Sequence, residues 1–484
     1  MELHVSLDGP GDHDTRVARI YSAVREAVLD ARLAAGDRVP ATRDLAAQLG
    51  VARGTVTAAY DRLTSEGFLE SRPGAGTFVA DVTRSGDRGA RRARRGAVRP
   101  LPIWDTEPER GGPRDRRLHD LSIGLPDPAL FPLEVWRRLV SAQLRRSRLE
   151  EATYGGRGSF RLQREVARLL GLSRSVVCAP EDVVVTAGAQ QALDLVCRVL
   201  VAPRAVVAME DPGYFAVRRL FESHRASVRG VPVDDEGLVV DALPAEARLV
   251  YVTPSHQFPT GVPMSMGRRV ALLRWAIEHD AVVVEDDYDS EYRYAHQPVE
   301  PIQSLDREGR VVYVGTFSKS LLPALRTGFL VPPQSLLAAL RRAKQVTSWE
   351  GDQTTQGALA EFLAEGHHSA HVRRATRVYR ERRHLVLDGL ATLDDVLQVI
   401  PSVAGLHVAA RFIDASVDDR AVVRRAAQRG VRVEALSDHH CDQPARPGLV
   451  VGFGGIGAEE IPDAMSRLKE ALPYPATGAS AAGV

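Results

Sequence analysis

The stretch 314–326, "VGTFSKSLLPALR", carries Lys319, and lysine is almost absent from this chain. Of the 63 Lys plus Arg residues, three are lysine (Lys319, Lys344 and Lys469) and the rest are arginine. The chain uses arginine wherever a plain positive charge suffices, so a retained lysine asks for a reason. Lys319 follows the apolar run "VVYVG" and sits between Ser318 and Ser320. Similar buried-strand runs are "DVVVTAG" (182–188), "AVVAME" (205–210), "RLVYVTPS" (248–255) and "AVVVEDDY" (281–288), all separated by helical stretches. Strands alternating with helices predict an α/β domain built on a mainly parallel sheet. A side chain at the C-terminal end of such a strand faces the crevice where open α/β sheets bind ligands. An amine there can do what a guanidinium cannot, which is condense with an aldehyde into a Schiff base.

Pyridoxal 5′-phosphate is the common aldehyde cofactor. It needs a phosphate cradle, a carboxylate for its pyridine nitrogen and an aromatic face. Each has a candidate. In "VVVTAGAQQALDLVCRVL" a strand turns into a helix, and Gly188, Ala189 and Gln190 would offer backbone N–H groups to a phosphate. "VVVEDDYDSEY" ends a strand with Asp286, for the pyridine nitrogen, and Tyr288, for the phenolic oxygen. "MEDPGYFAVRRLF" places Tyr214 after a Pro-Gly turn, where its ring could stack. Arg326 could clamp the phosphate bidentately, with hydroxyls from Thr316 and Ser318. Taken singly, each is equally a loop, turn or core residue; together they recur in one order along one α/β segment.

The N-terminal part reads differently. Residues 15–35 carry Val17, Ile20, Tyr21, Val24, Val28 and Leu29 at helical spacing. Thr42 can cap a short helix, "RDLAAQL", Gly50 supplies a turn, and a second helix starts near Arg53 with Val56, Ala59, Tyr60 and Leu63 on one face. Two helices joined by such a turn make a helix-turn-helix, and "FLESRPGAGTFVA" reads as a two-stranded wing. In that arrangement the second helix enters the major groove by its N-terminal residues. Arg43, Arg53, Thr55 and Thr57 are then the DNA-binding candidates. A small helical domain with a surface arginine fits the same spacing, and charge does not separate the two, since residues 1–80 hold 9 Arg against 11 Asp plus Glu.

Residues 1–80 therefore form the N-terminal domain and 81–117 a linker rich in Arg, Gly and Pro. Residues 118–474 form the α/β domain and 475–484 a tail. Within the linker, residues 84–99 hold seven arginines and one acid, which suits either a solvated spacer or a basic arm on phosphates. Net charge is +1, the three cysteines have no metal-like spacing, the first residues are polar and acidic, and no apolar run nears the roughly 20 residues of a membrane helix. A cytoplasmic protein without metal, disulfide framework or membrane contact is the expectation.

Residues 39–79, with "LGVARGTVTAAYDRL", "EGFLE" and "GAGTFV", resemble the winged-helix domain of GntR-family transcription regulators. Residues 118–470 resemble the fold-type I, aspartate-aminotransferase-like domain. The combination, with "EDPGYF", "TPSHQFPTG", "EDDYDSEYRY" and "GTFSKSLLPALR", resembles the MocR/GabR-type group of that family, including regulators of vitamin B6 synthesis. The resemblance implies a homodimer that binds pyridoxal phosphate and an operator on double-stranded DNA. Lys319 would be the Schiff-base lysine, and Asp286, Tyr288, Tyr214, Gly188, Ala189, Gln190, Thr316, Ser318 and Arg326 would surround the cofactor. Tyr154 resembles a tyrosine that reaches the neighbouring subunit's phosphate.

Two departures from aminotransferases stand out. Phe258 occupies the place of the asparagine that bonds the phenolic oxygen, with His256 or Gln257 as substitutes. The arginine for a substrate carboxylate has no clear counterpart; Asp438, His439 and His440 occupy its neighbourhood and Arg446 is the nearest candidate. These departures favour a regulator with little or no turnover. Its effector would be an amino compound or pyridoxal phosphate itself. A working aminotransferase with an attached DNA-binding domain is the rival reading, and a purely structural use of the fold is the third.

Overall fold

The structure, a computed structural model, describes residues 13–81, 99–104, 118–145, 160–294 and 300–473. Tyr154, the tail 475–484 and all of the arginine-rich stretch except Arg99 lie outside the described residues. The chain divides into two compact units, Met1–Thr106 and Glu107–Val484, a division that falls inside the segment read as a linker.

The first unit holds helices α1 (His13–Leu29), α2 (Thr42–Leu49) and α3 (Arg53–Ser65), then an antiparallel hairpin of β1 (Leu69–Arg72) and β2 (Gly76–Val79). Ile20, Val24 and Val28 of α1 pack with Leu45 of α2 and Val56, Ala59 and Leu63 of α3. Burying each of the Ile, Val and Leu side chains contributes about 1.5–3 kcal/mol. Two readings are corrected. The first helix ends at Leu29, which is exposed, and Ala31 turns left-handed at φ 57°. Thr42 is the first helical residue and not the cap, which is Ala41 and makes no side-chain bond.

The second unit is built on an eight-stranded sheet in the order β4-β11-β10-β9-β8-β5-β6-β7. Its strands are β4 (Val184–Thr186), β5 (Val206–Asp211), β6 (Ser227–Asp234), β7 (Gly237–Leu238), β8 (Ala247–Val252), β9 (Val282–Asp287), β10 (Val311–Thr316) and β11 (Gly328–Val331). The central run from β6 to β10 is parallel, and β7 and β11 are antiparallel to their neighbours. All five strand runs read from the sequence are in it. Helices of residues 189–200, 215–223 and 334–348 cover one face, and the helix of residues 266–278 covers the other. A smaller antiparallel sheet of β12 (Leu397–Val399), β13 (His407–Phe412), β15 (Glu434–Ala435) and β16 (Gly448–Gly452) follows. Among the described residues no helix is long and apolar enough to cross a membrane.

Strand alternation decides what the sheet end presents. Val284 and Asp286 point to one face and Glu285 and Asp287 to the other. The apolar clusters agree, since Val284 packs with Tyr251, Val312 and Val314, and Val283 packs with Val250 and Val311 on the opposite side.

Candidate functional site

Lys319 lies three residues beyond β10, half-buried, and its Nζ donates to the Gly124 carbonyl at 2.7 Å. Burial pushes its pKa down, against the pull of Asp289, Asp286 and Glu434. A lysine amine with a lowered pKa is a better nucleophile toward an aldehyde.

Asp286, at the C-terminal end of β9, is 4% exposed. One of its oxygens accepts from the Tyr251 hydroxyl at 2.7 Å, and the other is buried without a partner among the described residues. Burial raises its pKa to about 7, and the Tyr251 hydrogen bond opposes the rise. The neighbouring Asp287 behaves oppositely. Burial acts on it too, but Arg174 at 3.0 Å, with Ser290 and Tyr313, holds it below the usual carboxylate range. Asp286 therefore keeps one oxygen for a cationic or N–H donor that the described residues do not supply. The sequence reading missed Tyr251; its signal was a tyrosine in the apolar run of β8, visible only once Tyr251 pairs with Val284 and comes alongside Asp286.

The turn after β4 builds the phosphate candidate. Gly188 caps the helix Ala189–Leu200 with φ +84°, and Ala189 and Gln190 are its first residues. Free N–H groups at a helix start bind anions. The positive φ at Gly188 favours glycine, and a Cβ there would sit 3.3 Å from the Arg326 guanidinium, which would have to give by a few tenths of an ångström. Arg326 itself donates to the Ala187 carbonyl at 2.8 Å and is left-handed at φ 44°. Thr316 pairs with Gly328, which also pairs with Thr186, so β11 brings the lysine strand and this turn together. The Thr316 hydroxyl lies 3.0 Å from that of Ser318.

Tyr214, partly exposed, caps the helix Phe215–Ser223 and its ring stands 5.1 Å from that of Phe258. Tyr288 has its hydroxyl 3.0 Å from both the His256 carbonyl and His256 Nδ1. Gln257 cannot replace the missing asparagine. Its side chain holds the Pro212 and Phe258 carbonyls and accepts from Thr260. Of the three residues near the missing arginine, only His439 packs here, 5.3 Å from Phe258. Asp438 pairs with Arg420, and His440 lies 3.5 Å from Asp211. Arg446 is exposed and close to Arg411, which pairs with Gly448 at the opposite end of β13 from His407. Arg446 is thus corrected as the carboxylate candidate, and β16 carries only Gly, Leu and Val.

In the first unit, Arg43 is 86% exposed in its side chain. Arg53 opens α3, is exposed, and lies 3.4 Å from the Thr42 hydroxyl. Thr55 departs from the expectation: it is 3% exposed and leaves a phosphate little to touch. Thr57 donates its hydroxyl proton to the Arg53 carbonyl, so in this state it has none for a phosphate.

The Asp286 carboxyl gives a sign-defined test on cofactor-free protein. Its folded pKa is raised from 3.8 to about 7, so the native state holds the proton longer and this group's contribution falls as pH rises between those values. Asp286→Asn should therefore gain stability over the parent from pH 4 to 8, by on the order of a few kcal/mol. Urea unfolding across that range checks it; a pH-independent difference would contradict the raised carboxyl.

Comparison with known proteins adds family to geometry. Residues 118–462 match the aminotransferase class I and II family, and residues 16–79 match the bacterial regulatory proteins of the gntR family. The chain is 37% identical over 463 residues to the probable rhizopine catabolism regulatory protein MocR of Rhizobium meliloti, covering 94% of this chain and 93% of that one. It is 34% identical over 472 residues to the pyridoxine biosynthesis transcriptional regulator PdxR of Corynebacterium glutamicum, covering 97% and 99%. Among solved structures, Pyrococcus horikoshii kynurenine aminotransferase aligns with TM-score 0.68 and 28% identity over 73% of this chain and 90% of that one. The chain belongs to the MocR-type transcriptional regulators of the gntR family, which join a winged helix to an aminotransferase-like domain.

Proposed function

We propose that the aminotransferase-like domain binds pyridoxal 5′-phosphate through Lys319 and uses it to control operator binding by the winged helix, with little or no turnover. The observation that carries this reading is Asp286, whose buried free oxygen suits a protonated pyridine nitrogen on the same crevice as Lys319. Gly188, Ala189, Gln190, Thr316, Ser318 and Arg326 would hold the phosphate, Tyr214 the ring face and Tyr288 the phenolic side. When bound, the cofactor supplies an electron sink and an aldehyde for amines. The chain's own residues orient and shield it. The protein acts in the cytoplasm as a homodimer, with Tyr154 reaching the partner's phosphate. The effector is pyridoxal phosphate or an amino compound; the name of the C. glutamicum relative supports the first.

The aminotransferase reading has the intact lysine and the enzymes of the same fold in its favour. Against it stand Phe258, the apolar β16 and the remote Arg446. A transaminase must hold its substrate's carboxylate so that the reacting bond is aligned, and positioning of that kind is worth about 7–11 kcal/mol.

Borohydride reduction and peptide mapping should place a pyridoxyl group on Lys319. A label on Lys344 or Lys469, or none, rejects the assignment. A panel of amino acids should leave the cofactor band unconverted over hours, while operator affinity changes several-fold with pyridoxal phosphate and loses that response in Lys319→Ala. Rapid conversion with indifferent DNA binding favours the enzyme. On the DNA side, Arg43 and Arg53, both exposed, are the proposed contacts. Arg53→Ala should weaken operator binding by about 1–3 kcal/mol if it reads a base edge, measured by fluorescence anisotropy at fixed salt; unchanged affinity removes it from the interface.

A further inference from the structure

We propose that His256 is a buried imidazolium paired with Asp289, and that this ion pair sets the charge felt by the Schiff-base nitrogen of Lys319. The inference rests on the cofactor reading above and assigns a positioning role to two side chains that reading leaves unused.

Hydrogen-bond bookkeeping carries it. His256 is 1% and Asp289 3% exposed. His256 Nδ1 lies 3.2 and 3.1 Å from the two Asp289 oxygens. A carboxylate only accepts, so Nδ1 carries a hydrogen. His256 Nε2 lies 3.0 Å from Ser402 Oγ, and that hydroxyl donates to the Ala404 carbonyl at 3.2 Å. With its proton placed there, Ser402 Oγ accepts, so Nε2 also carries a hydrogen. The Tyr288 proton goes to the His256 carbonyl at 3.0 Å and asks nothing of Nδ1. With Ser402 oriented that way both ring nitrogens are donors, which is the charged form we assign; with its hydroxyl turned to Nε2, 3.0 Å away, the ring is neutral, and the titration below separates the two.

The surroundings are shaped for this pair. A Cβ on Gly405 would fall 2.1 Å from His256 Cε1 and 2.5 Å from an Asp289 oxygen, so the wall there admits no side chain. The adjacent ring, His407, has its centroid 4.7 Å away and bonds the Pro259 carbonyl through Nε2 at 3.0 Å. Burial, then His256, push its pKa well down, which keeps it neutral. His256, Asp289 and His407 bring ligand atoms within 4.8 Å of one another, but these hydrogen bonds already hold His407 Nε2 and both nitrogens of His256.

The pair matters because of what faces Lys319. Asp289 exerts the largest charge effect on its amine, ahead of Asp286 and Glu434, and His407 is near enough to feel Lys319. With Phe258 where an amide would stand, the Tyr288 hydroxyl and the His256 ring are among the polar groups of this corner. A matched pair keeps Asp289 from over-stabilising a protonated Schiff base; loss of either partner unbalances it.

The test is a pH titration of the absorbance band in full-length, cofactor-loaded protein. His256→Gln should raise the apparent pKa of the band by about one unit, tenfold in the equilibrium, because Asp289 is left unopposed. Asp289→Asn should lower it by a similar amount, and the double variant should return toward the parent while leaving no buried charge unpaired. A folded His256→Gln with the parent's pKa overturns the inference alone, since a neutral histidine would behave so. A parent that forms no band overturns the cofactor reading and this inference with it. If the single variants do not fold, ¹⁵N-histidine spectra of the parent decide. At pH 8 at least one of the 14 histidines must keep both ring nitrogens protonated, and a bare nitrogen on every ring overturns the assignment.

Discussion

Three consecutive carboxylates at the end of β9 set the terms for the rest of the second unit. Strand alternation sends Glu285 and Asp287 to one face and Asp286 to the other. Glu285 is held by the backbone N–H groups of Ile302 and Gln303, both at 2.9 Å. Asp287 meets Arg174 and Tyr313. Asp286 has a tyrosine hydroxyl on one oxygen and nothing on the other among the described residues. An unpaired carboxylate in a protein interior is costly, and it protonates unless a cation arrives. The fold thus keeps one carboxylate in deficit at the crevice where Lys319 lies. That deficit leaves the sheet end with an acceptor for a cationic or N–H group.

The rest of the crevice is assembled from distant segments, which explains what the sequence made legible. The parallel sheet showed in five apolar runs, because strands buried on both faces leave no polar alternation. Lys319, Asp286, Gly188 and Arg326 showed because strand ends and helix starts are predictable from the punctuation around those runs. Register did not show. Tyr251 reaches Asp286 only through the pairing of β8 with β9, and no local pattern encodes that offset. Gly124, which accepts from Lys319, lies 195 residues away in sequence. His407 and Asp289 were equally silent, since their partners come from loops far along the chain.

The winged helix was legible in outline and less so in detail. Helix positions followed from apolar spacing, and Val56, Ala59, Tyr60 and Leu63 are all buried. Which hydroxyls stay available to a ligand did not follow. A threonine within a helix can bond the carbonyl four residues back instead of a partner, and Thr57 does so with Arg53. Thr55 stands four residues, a little over one turn, before the buried Ala59 and goes inward with it. Arginine, long and charged, stays out at Arg43 and Arg53.

Two carboxylates, Asp211 and Asp442, help tie the loop of the small sheet to the large one. Asp211, at the end of β5, accepts from the backbone N–H groups of Cys441, Asp442 and Gln443, and Gly213 donates to the His439 carbonyl at 3.0 Å. Arg218 adds a two-pronged ion pair to Asp442. The segment that brings His439 against Phe258 is therefore fixed from the large sheet's side, although it belongs to the run between β15 and β16. A molecule bound beside Phe258 and His439 would meet segments tied to both sheets, and it could shift their arrangement only by binding one arrangement better than another. An enzyme needs its reacting groups aligned to fractions of an ångström; a sensor needs only that difference in affinity. On the function proposed above, a crevice that sets the lysine and the carboxylate beside Phe258, His439 and the apolar β16 would meet the second requirement more readily than the first.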